Sequence, residues 1–189
     1  MSHHPSYLRV FLTFARNSLV RDMTFRGNFL IQTISSTSWV FMTLGFYVLI
    51  FRYTPMIGAG TGWGKYQFFL FLATTLVINS LVQAFFMRNA HELSELIRTG
   101  TLDFALLKPI DTQFMVSLQR VEWSSLGNLV VGLLLMGYSL FQVDYTPGPL
   151  QVLLYPVYVV CGVAILYSLM ISLAVSAVWL GRSQTLYNF

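Results

Sequence analysis

The sequence predicts an all-α protein, a polytopic transmembrane helical bundle with four spans behind an N-terminal interfacial amphipathic helix. Three observations carry that prediction. Hydrophobic side chains make up 56% of the 189 residues and charged ones only 10%, whereas soluble domains average about 25% charged. A chain this short has too few ions to cover so much apolar surface in water, so lipid is the better solvent. Four segments also run free of charge for about the 20 residues that a bilayer crossing needs, and Lys and Arg are distributed unevenly around them.

The N-terminus does not read as a cleavable signal peptide, because Arg9, Arg16, Arg21 and Arg26 recur before any long apolar run. Residues 6–25 form an amphipathic pattern, with Tyr7, Leu8, Phe11, Phe14, Ala15 and Leu19 on one helical face and Arg9, Thr13, Arg16 and Asn17 on the other. Such a helix either lies in the interface plane with its arginines toward anionic headgroups or packs on the protein surface. The spanning segment that follows directly favours the first. The spans are expected at 28–51, 66–87, 123–141 and 151–179. Pro147 and Pro149 mark the approach to the last, and Pro156 is expected to kink its first turns.

Orientation follows from the basic residues. With the N-terminus cytoplasmic, that side carries Arg9, Arg16, Arg21, Arg26, Arg88, Arg98, Lys108, Arg120 and Arg182, and the outer side only Arg52 and Lys65. This is the positive-inside pattern, and it accounts for the net charge of +4 without invoking nucleic acid. The outer connections suit their side. Gly58, Gly60, Gly62 and Gly64 punctuate one, 144–149 forms the other, and Trp63, Tyr66, Tyr145 and Tyr155 fit an aromatic belt. The single cysteine, Cys161, excludes an internal disulfide and any multi-cysteine metal site, and His3 and His4 lie in a terminal segment with no ligand pattern.

The connection between spans two and three, 88–122, holds five of the seven acidic residues: Glu92, Glu95, Asp103, Asp111 and Glu122. Leu93, Leu96 and Ile97 are spaced for one helical face, with Glu92, Glu95 and Arg98 elsewhere. Gly100 can end that helix in a left-handed conformation. Thr101 or Asp103 can start a second short helix, and Pro109 can stop it. The result is a helix, a glycine break and a short helix at the membrane surface, suited to passing force between a soluble partner and the spans.

The run Ile97-Arg98-Thr99-Gly100-Thr101-Leu102-Asp103-Phe104-Ala105-Leu106-Leu107-Lys108-Pro109 resembles the signature of ABC-2 type permeases of the six-span branch. Gly100, Leu102, Asp103, Leu106 and Pro109 match its pattern, and Lys108 stands where arginine is common. The hydropathic layout of the whole chain is similar to that family. The resemblance implies that 88–122 contains a coupling helix docking on a separate ABC ATP-binding subunit, with Glu92, Glu95, Ile97, Arg98, Gly100, Leu102, Asp103, Phe104, Leu106, Lys108 and Pro109 as the interface. ATP and Mg would be bound by that partner, and this chain would carry no cofactor. It further implies export across the bacterial plasma membrane by a homodimer or paired heterodimer of permease subunits. The family usually has six spans and this chain shows four, so it reads either as a truncated form or as a shortened variant.

Polar residues inside the spans are the remaining candidates. Thr75, Asn79 and Gln83 fall on one face of span two, where amides are costly to leave in lipid. They are candidates for a translocation path. Gln32, Ser35, Ser36 and Thr37 cluster in span one. Ala164, Ser168, Ser172 and Ser176 repeat in span four in the manner of a helix-packing stripe. No catalytic set is visible and no phosphate-binding P-loop occurs. His91 with Glu95 offers two ligands where zinc needs three or four, so no metal site is assigned. The alternative to a permease is a non-transporting membrane anchor or scaffold for a soluble complex.

Overall fold

The computed structural model describes residues 6–57, 62–108, 110–143 and 147–180, the side chains of 105 and 177–180 excepted. Gly58, Gly60, Pro109, Asp144, Tyr145 and Arg182, all named above, lie outside the described residues, as do His3 and His4. The described chain is helical, in the order α1 (Tyr7–Thr24), α2 (Arg26–Tyr53), α3 (Lys65–Val82), a π turn (Gln83–Met87), α4 (Arg88–Arg98), α5 (Leu102–Leu106), α6 (Thr112–Leu118), α7 (Ser125–Gln142) and α8 (Pro149–Leu180). The helices α2, α7 and α8, together with the run that α3 begins, are long and apolar enough to cross a membrane. The protein is a multi-pass membrane protein.

The spans fall close to their expected positions, with two differences. The second does not end at Met87. Helix continues through the π turn to Arg98 as one run of 34 residues, because neither proline nor glycine interrupts it before Gly100. Pro156 lies inside α8 without breaking it. An apolar environment strengthens the remaining backbone bonds, so spanning helices accommodate a proline that would end a soluble one.

The chain packs as two compact units. One comprises 27–81 and 124–162. Its core is made by small and aromatic residues. A side chain at Gly132 of α7 would place its first carbon 3.2 Å from Val77 Cγ2 and 3.3 Å from Leu76 Cβ of α3, so glycine lets those two helices approach. Tyr47 and Phe51 of α2 pack against Phe68, Thr37 meets Asn128 at 3.5 Å, and the Tyr155 hydroxyl donates to Thr74 Oγ1 at 3.1 Å. The outer faces remain apolar, with Ile31, Ile34, Trp39, Met42 and Leu49 of α2 and Leu134 of α7 all exposed, as lipid contact requires.

The other unit comprises 1–26, 82–123 and 163–189, as far as described. Ala90, Leu93 and Ala174 are buried at its centre, with Ile97, Leu102, Val116, Met170, Ile171 and Leu173 packed around them. The apolar face of α1 turns into this unit. Tyr7 meets the Phe114 ring edge-on at 5.0 Å, Phe11 contacts Phe85, and Ser18 is buried. Part of the face expected to enter lipid thus packs on protein, while Tyr7 and Leu8 of the same face stay exposed. Leu12, Val20 and Met23 of α1 are exposed as well. The serine stripe of span four also differs from expectation. Ser168 and Ser172 are exposed and donate back to Ala164 and Ser168 carbonyls of their own helix at 2.8 Å. The neighbouring face, with Met170 and Ala174, packs inward instead.

Candidate functional site

The connection from Arg88 to Glu122 folds into three short helices, each with a chemical reason for its ends. Ala90, Leu93 and Ile97 recur at helical spacing and give α4 its inward stripe. It stops at Gly100, whose φ is +69°. The Thr101 N–H reaches back to the Leu96 carbonyl at 3.0 Å and the Gly100 N–H to Ile97 at 3.2 Å, the paired bonds of a Schellman motif that needs a left-handed residue. Thr101 then leads into α5, accepting from the Phe104 N–H at 3.2 Å. Asp111 caps α6, its Oδ1 accepting from the Phe114 N–H at 2.8 Å. The expected helix, glycine break and short helix are therefore present. The third helix, α6, was not expected.

The residues singled out in this region separate by burial. Ile97 and Leu102 turn inward onto the cluster of Ala90, Leu93 and the α8 residue Ala174. Past the glycine, Asp103, Phe104, Leu106, Leu107 and Lys108 are exposed, Phe104 at 72% and Leu107 at 79%. An aromatic and two leucines thus stand clear of the fold, beside an acid and a base. Glu92, Glu95, Leu96, Thr101, Phe104 and Lys108 line a recess of about 480 Å³, which Met115 and Arg120 close from the far side. Glu92 is ion-paired with Arg120. Glu95 pairs with Arg98, whose Nε donates at 2.9 Å. That hydrogen bond holds the Glu95 carboxyl below the usual carboxylate range and lifts Arg98 correspondingly. Pro109 lies outside the described residues.

Sequence reasoning missed the joint that anchors this region. Residues 120–123 form no regular element, yet their polar groups are satisfied. The buried Asn89 receives the Arg120 N–H on Oδ1 at 2.9 Å and donates Nδ2 to the Arg120 carbonyl at 2.8 Å and to the Phe85 carbonyl at 2.6 Å. The Glu122 N–H donates to the Ala84 carbonyl at 2.8 Å. In a π turn the backbone bonds span five residues rather than four, which leaves a carbonyl for an outside donor. From the other side, Ser18 Oγ accepts the Val121 N–H at 3.2 Å and the Ala15 carbonyl accepts Trp123 Nε1 at 3.2 Å. Ser117 and the Tyr167 hydroxyl add a bond from α6 to α8. One signal was available. Asn89 lies four residues before Leu93 and eight before Ile97, which places an amide on the apolar face of α4.

Of the path candidates, Gln83 directly precedes Ala84 of this joint, and Thr75 and Asn79 belong to the unit of 27–81 and 124–162. Thr75, Asn79 and Gln83 are all exposed, and Thr75 Oγ1 donates to the Phe71 carbonyl at 3.1 Å. In the unit of 27–81 and 124–162, an apolar recess of about 690 Å³ is lined by Trp63, Phe71, Thr74, Met136, Leu140 and Tyr155, among others.

Compared with known families, residues 37–189 match the model described as ABC-2 family transporter protein. No curated protein and no solved structure matches the chain. The matched stretch takes in α2 from residue 37 onward, the other three spans and the whole of 88–122, and α1 lies before it.

Proposed function

The chain belongs to the ABC-2 family of transporter proteins, and from that premise we propose that it is the permease subunit of an ATP-driven exporter in which 88–122 takes up the stroke of a separate ATP-binding subunit. The single observation behind this reading is the exposed knuckle of Phe104, Leu106 and Leu107 just past the Gly100 break. Exposed apolar side chains rimmed by charge are the usual makings of a protein contact. Asp103 and Lys108 provide that rim, and Glu92, Glu95, Arg98 and the 480 Å³ recess lie behind it. Ile97 and Leu102 are rooted in the α8 packing, so a push on the knuckle is carried to a spanning helix. ATP and its Mg belong to the partner, and this chain supplies no hydrolytic chemistry.

In this reading the subunit works in the plasma membrane with its N-terminus and 88–122 cytoplasmic, in agreement with the nine basic residues on that side against two on the other. It pairs with a second permease subunit, identical or related. Thr75, Asn79 and Gln83, exposed on the chain taken alone, face the path that the pairing encloses.

The test is a cysteine at Phe104 or Leu107 in a C161S background, crosslinked in membranes that also contain ABC ATP-binding subunits of the same cell. Capture of the ATPase, and stimulation of its ATP hydrolysis on co-reconstitution, is the expected result. Capture without stimulation would make the chain a membrane anchor. No capture from either position would remove the proposed interface.

A further inference from the structure

The last turn of α1 carries an arginine whose hydrogen bonding is incomplete. Arg21 Nε and Nη2 are shielded from water and have no hydrogen-bond partner. These two atoms form one edge of the guanidinium. Their N–H bonds run parallel along it, the fork that grips two oxygens of a carboxylate or a phosphate. A shielded donor without an acceptor is costly, and a guanidinium cannot escape the cost by giving up its proton.

The surrounding charges do not supply the acceptor. Arg120 and Arg88 act against the charge of Arg21, and Asp22 and Glu92 act for it. Burial first, and these two arginines next, push Arg21 below the ordinary arginine range. Glu92 already pairs with Arg120. Among the charges that act on Arg21 the basic ones, Arg120 and Arg88, outweigh the acidic ones, Asp22 and Glu92, and all five side chains are at least partly shielded from solvent. The acceptor that its unpartnered edge lacks is therefore best supplied by an anion.

We propose that Arg21, together with Arg88 and Arg120, forms a binding site for a phosphate oxyanion, and that the headgroup phosphodiester of an anionic membrane lipid supplies it. The phosphodiester carries a negative charge, and its two free oxygens match the two parallel N–H bonds of the unpartnered edge. A lipid is favoured over free phosphate by the surroundings. The helix that bears Arg21 exposes Leu8, Leu12, Val20 and Met23, and Phe25 follows it exposed, so acyl chains have apolar surface to lie on. The side chains covering the fork part to admit the headgroup. The site stands whether or not the chain transports anything.

The test uses the full chain purified in neutral detergent and offered mixed micelles of phosphatidylglycerol or phosphatidylcholine, or inorganic phosphate alone. Retained lipid is read by native mass spectrometry and stabilisation by thermal melting. Both lipids offer the phosphodiester, but the choline cation of phosphatidylcholine is repelled by the arginines around the site, so the wild type is expected to retain phosphatidylglycerol over phosphatidylcholine by about tenfold. R21Q abolishes that preference, and R21K, which keeps the charge without the fork, retains part of it. Should R21Q fail to fold, the comparison of R21K with the wild type decides. If millimolar inorganic phosphate displaces the lipid and stabilises equally well, the oxyanion site stands and its lipid assignment falls. Equal retention of the two lipids by the wild type, or an undiminished preference in folded R21Q, overturns the proposal.

Discussion

Replacing Asn89 separates hydrogen bonding from packing at the joint between α4 and residues 120–123. Its amide makes three bonds, two to the Arg120 backbone and one to the Phe85 carbonyl, at 2.6 to 2.9 Å, and the residue is 2% exposed. Each such bond contributes about 0.5–1.5 kcal/mol net, and stranding a shielded donor such as the Arg120 N–H costs about 1–3 kcal/mol more. N89A is therefore expected to destabilise the fold by about 3–4 kcal/mol, with a minor part from the cavity. N89L keeps the volume and removes every polar atom. If hydrogen bonds govern the joint, N89L loses nearly as much as N89A, because the orphaned Arg120 groups are the same in both. N89D keeps an acceptor for the Arg120 N–H but sets a buried carboxylate oxygen against the Phe85 and Arg120 carbonyls, and is expected to lose at least as much. The assay is a reversible unfolding titration in mixed micelles. An N89L protein within about 0.5 kcal/mol of wild type, the range of a neutral surface change, would refute the reasoning and leave Asn89 a space filler.

Three further substitutions probe other parts of the fold. At Gly100 the space is open but φ is +69°, so G100A costs only the left-handed conformation, about 1–2 kcal/mol, and G100N less; equal melting of all three proteins would mean that the helix ends some other way. G132V forces a side chain into Val77 and Leu76 and is expected to cost about 1–3 kcal/mol by overpacking, while G137V, whose site has nothing within 4 Å, melts close to wild type. Ser139 is fully buried and its hydroxyl has no partner. S139A is expected to match or exceed wild-type stability, since it removes a desolvated group and almost no volume, and a clear loss would show that the hydroxyl is bonded.

What could be read in the sequence was what depends on composition along the chain. Charge-free length marks a span whatever it packs against, and Gly100 between a helical stripe and Leu-Asp marks a left-handed stop. What could not be read depends on partners far along the chain. Span four is apolar on every side, so the spacing of Ser168 and Ser172 could not say which face the protein covers. The hydroxyls turned out to satisfy themselves on their own helix. The π turn over Gln-Ala-Phe-Phe-Met carries no sequence marker, because it is a change of backbone register stabilised from outside by the Glu122 N–H. Asp111, by contrast, was a legible cap passed over. On α1 the spacing showed the apolar face but not that Ser18 within it is buried and accepts the Val121 N–H, a contact made with a residue far along the chain.

The irregular stretch 120–123 matters more than its length suggests. A segment without its own helix or strand has no internal stiffness, so its position is set by whatever satisfies its backbone. Here those groups are Ser18 and Ala15 of α1 on one side and Asn89 and the Ala84 carbonyl on the other. The segment leads directly into α7. Displacing α4 without breaking the Asn89 bonds must therefore shift residues 120–123 and drag α1 with them. If 88–122 does take up a stroke, force has two routes out of α4. One is apolar, through Leu93 and Ile97 to α8. The other is polar, through Asn89 to residues 120–123. Apolar contacts slide at little cost, whereas hydrogen bonds hold register. The polar route is thus the one that fixes direction. N89L reconstituted with an ATPase should keep binding it while losing stimulation, whereas an apolar lesion such as L93A, which leaves the Asn89 bonds in place, should weaken the fold and spare the coupling of whatever protein remains folded.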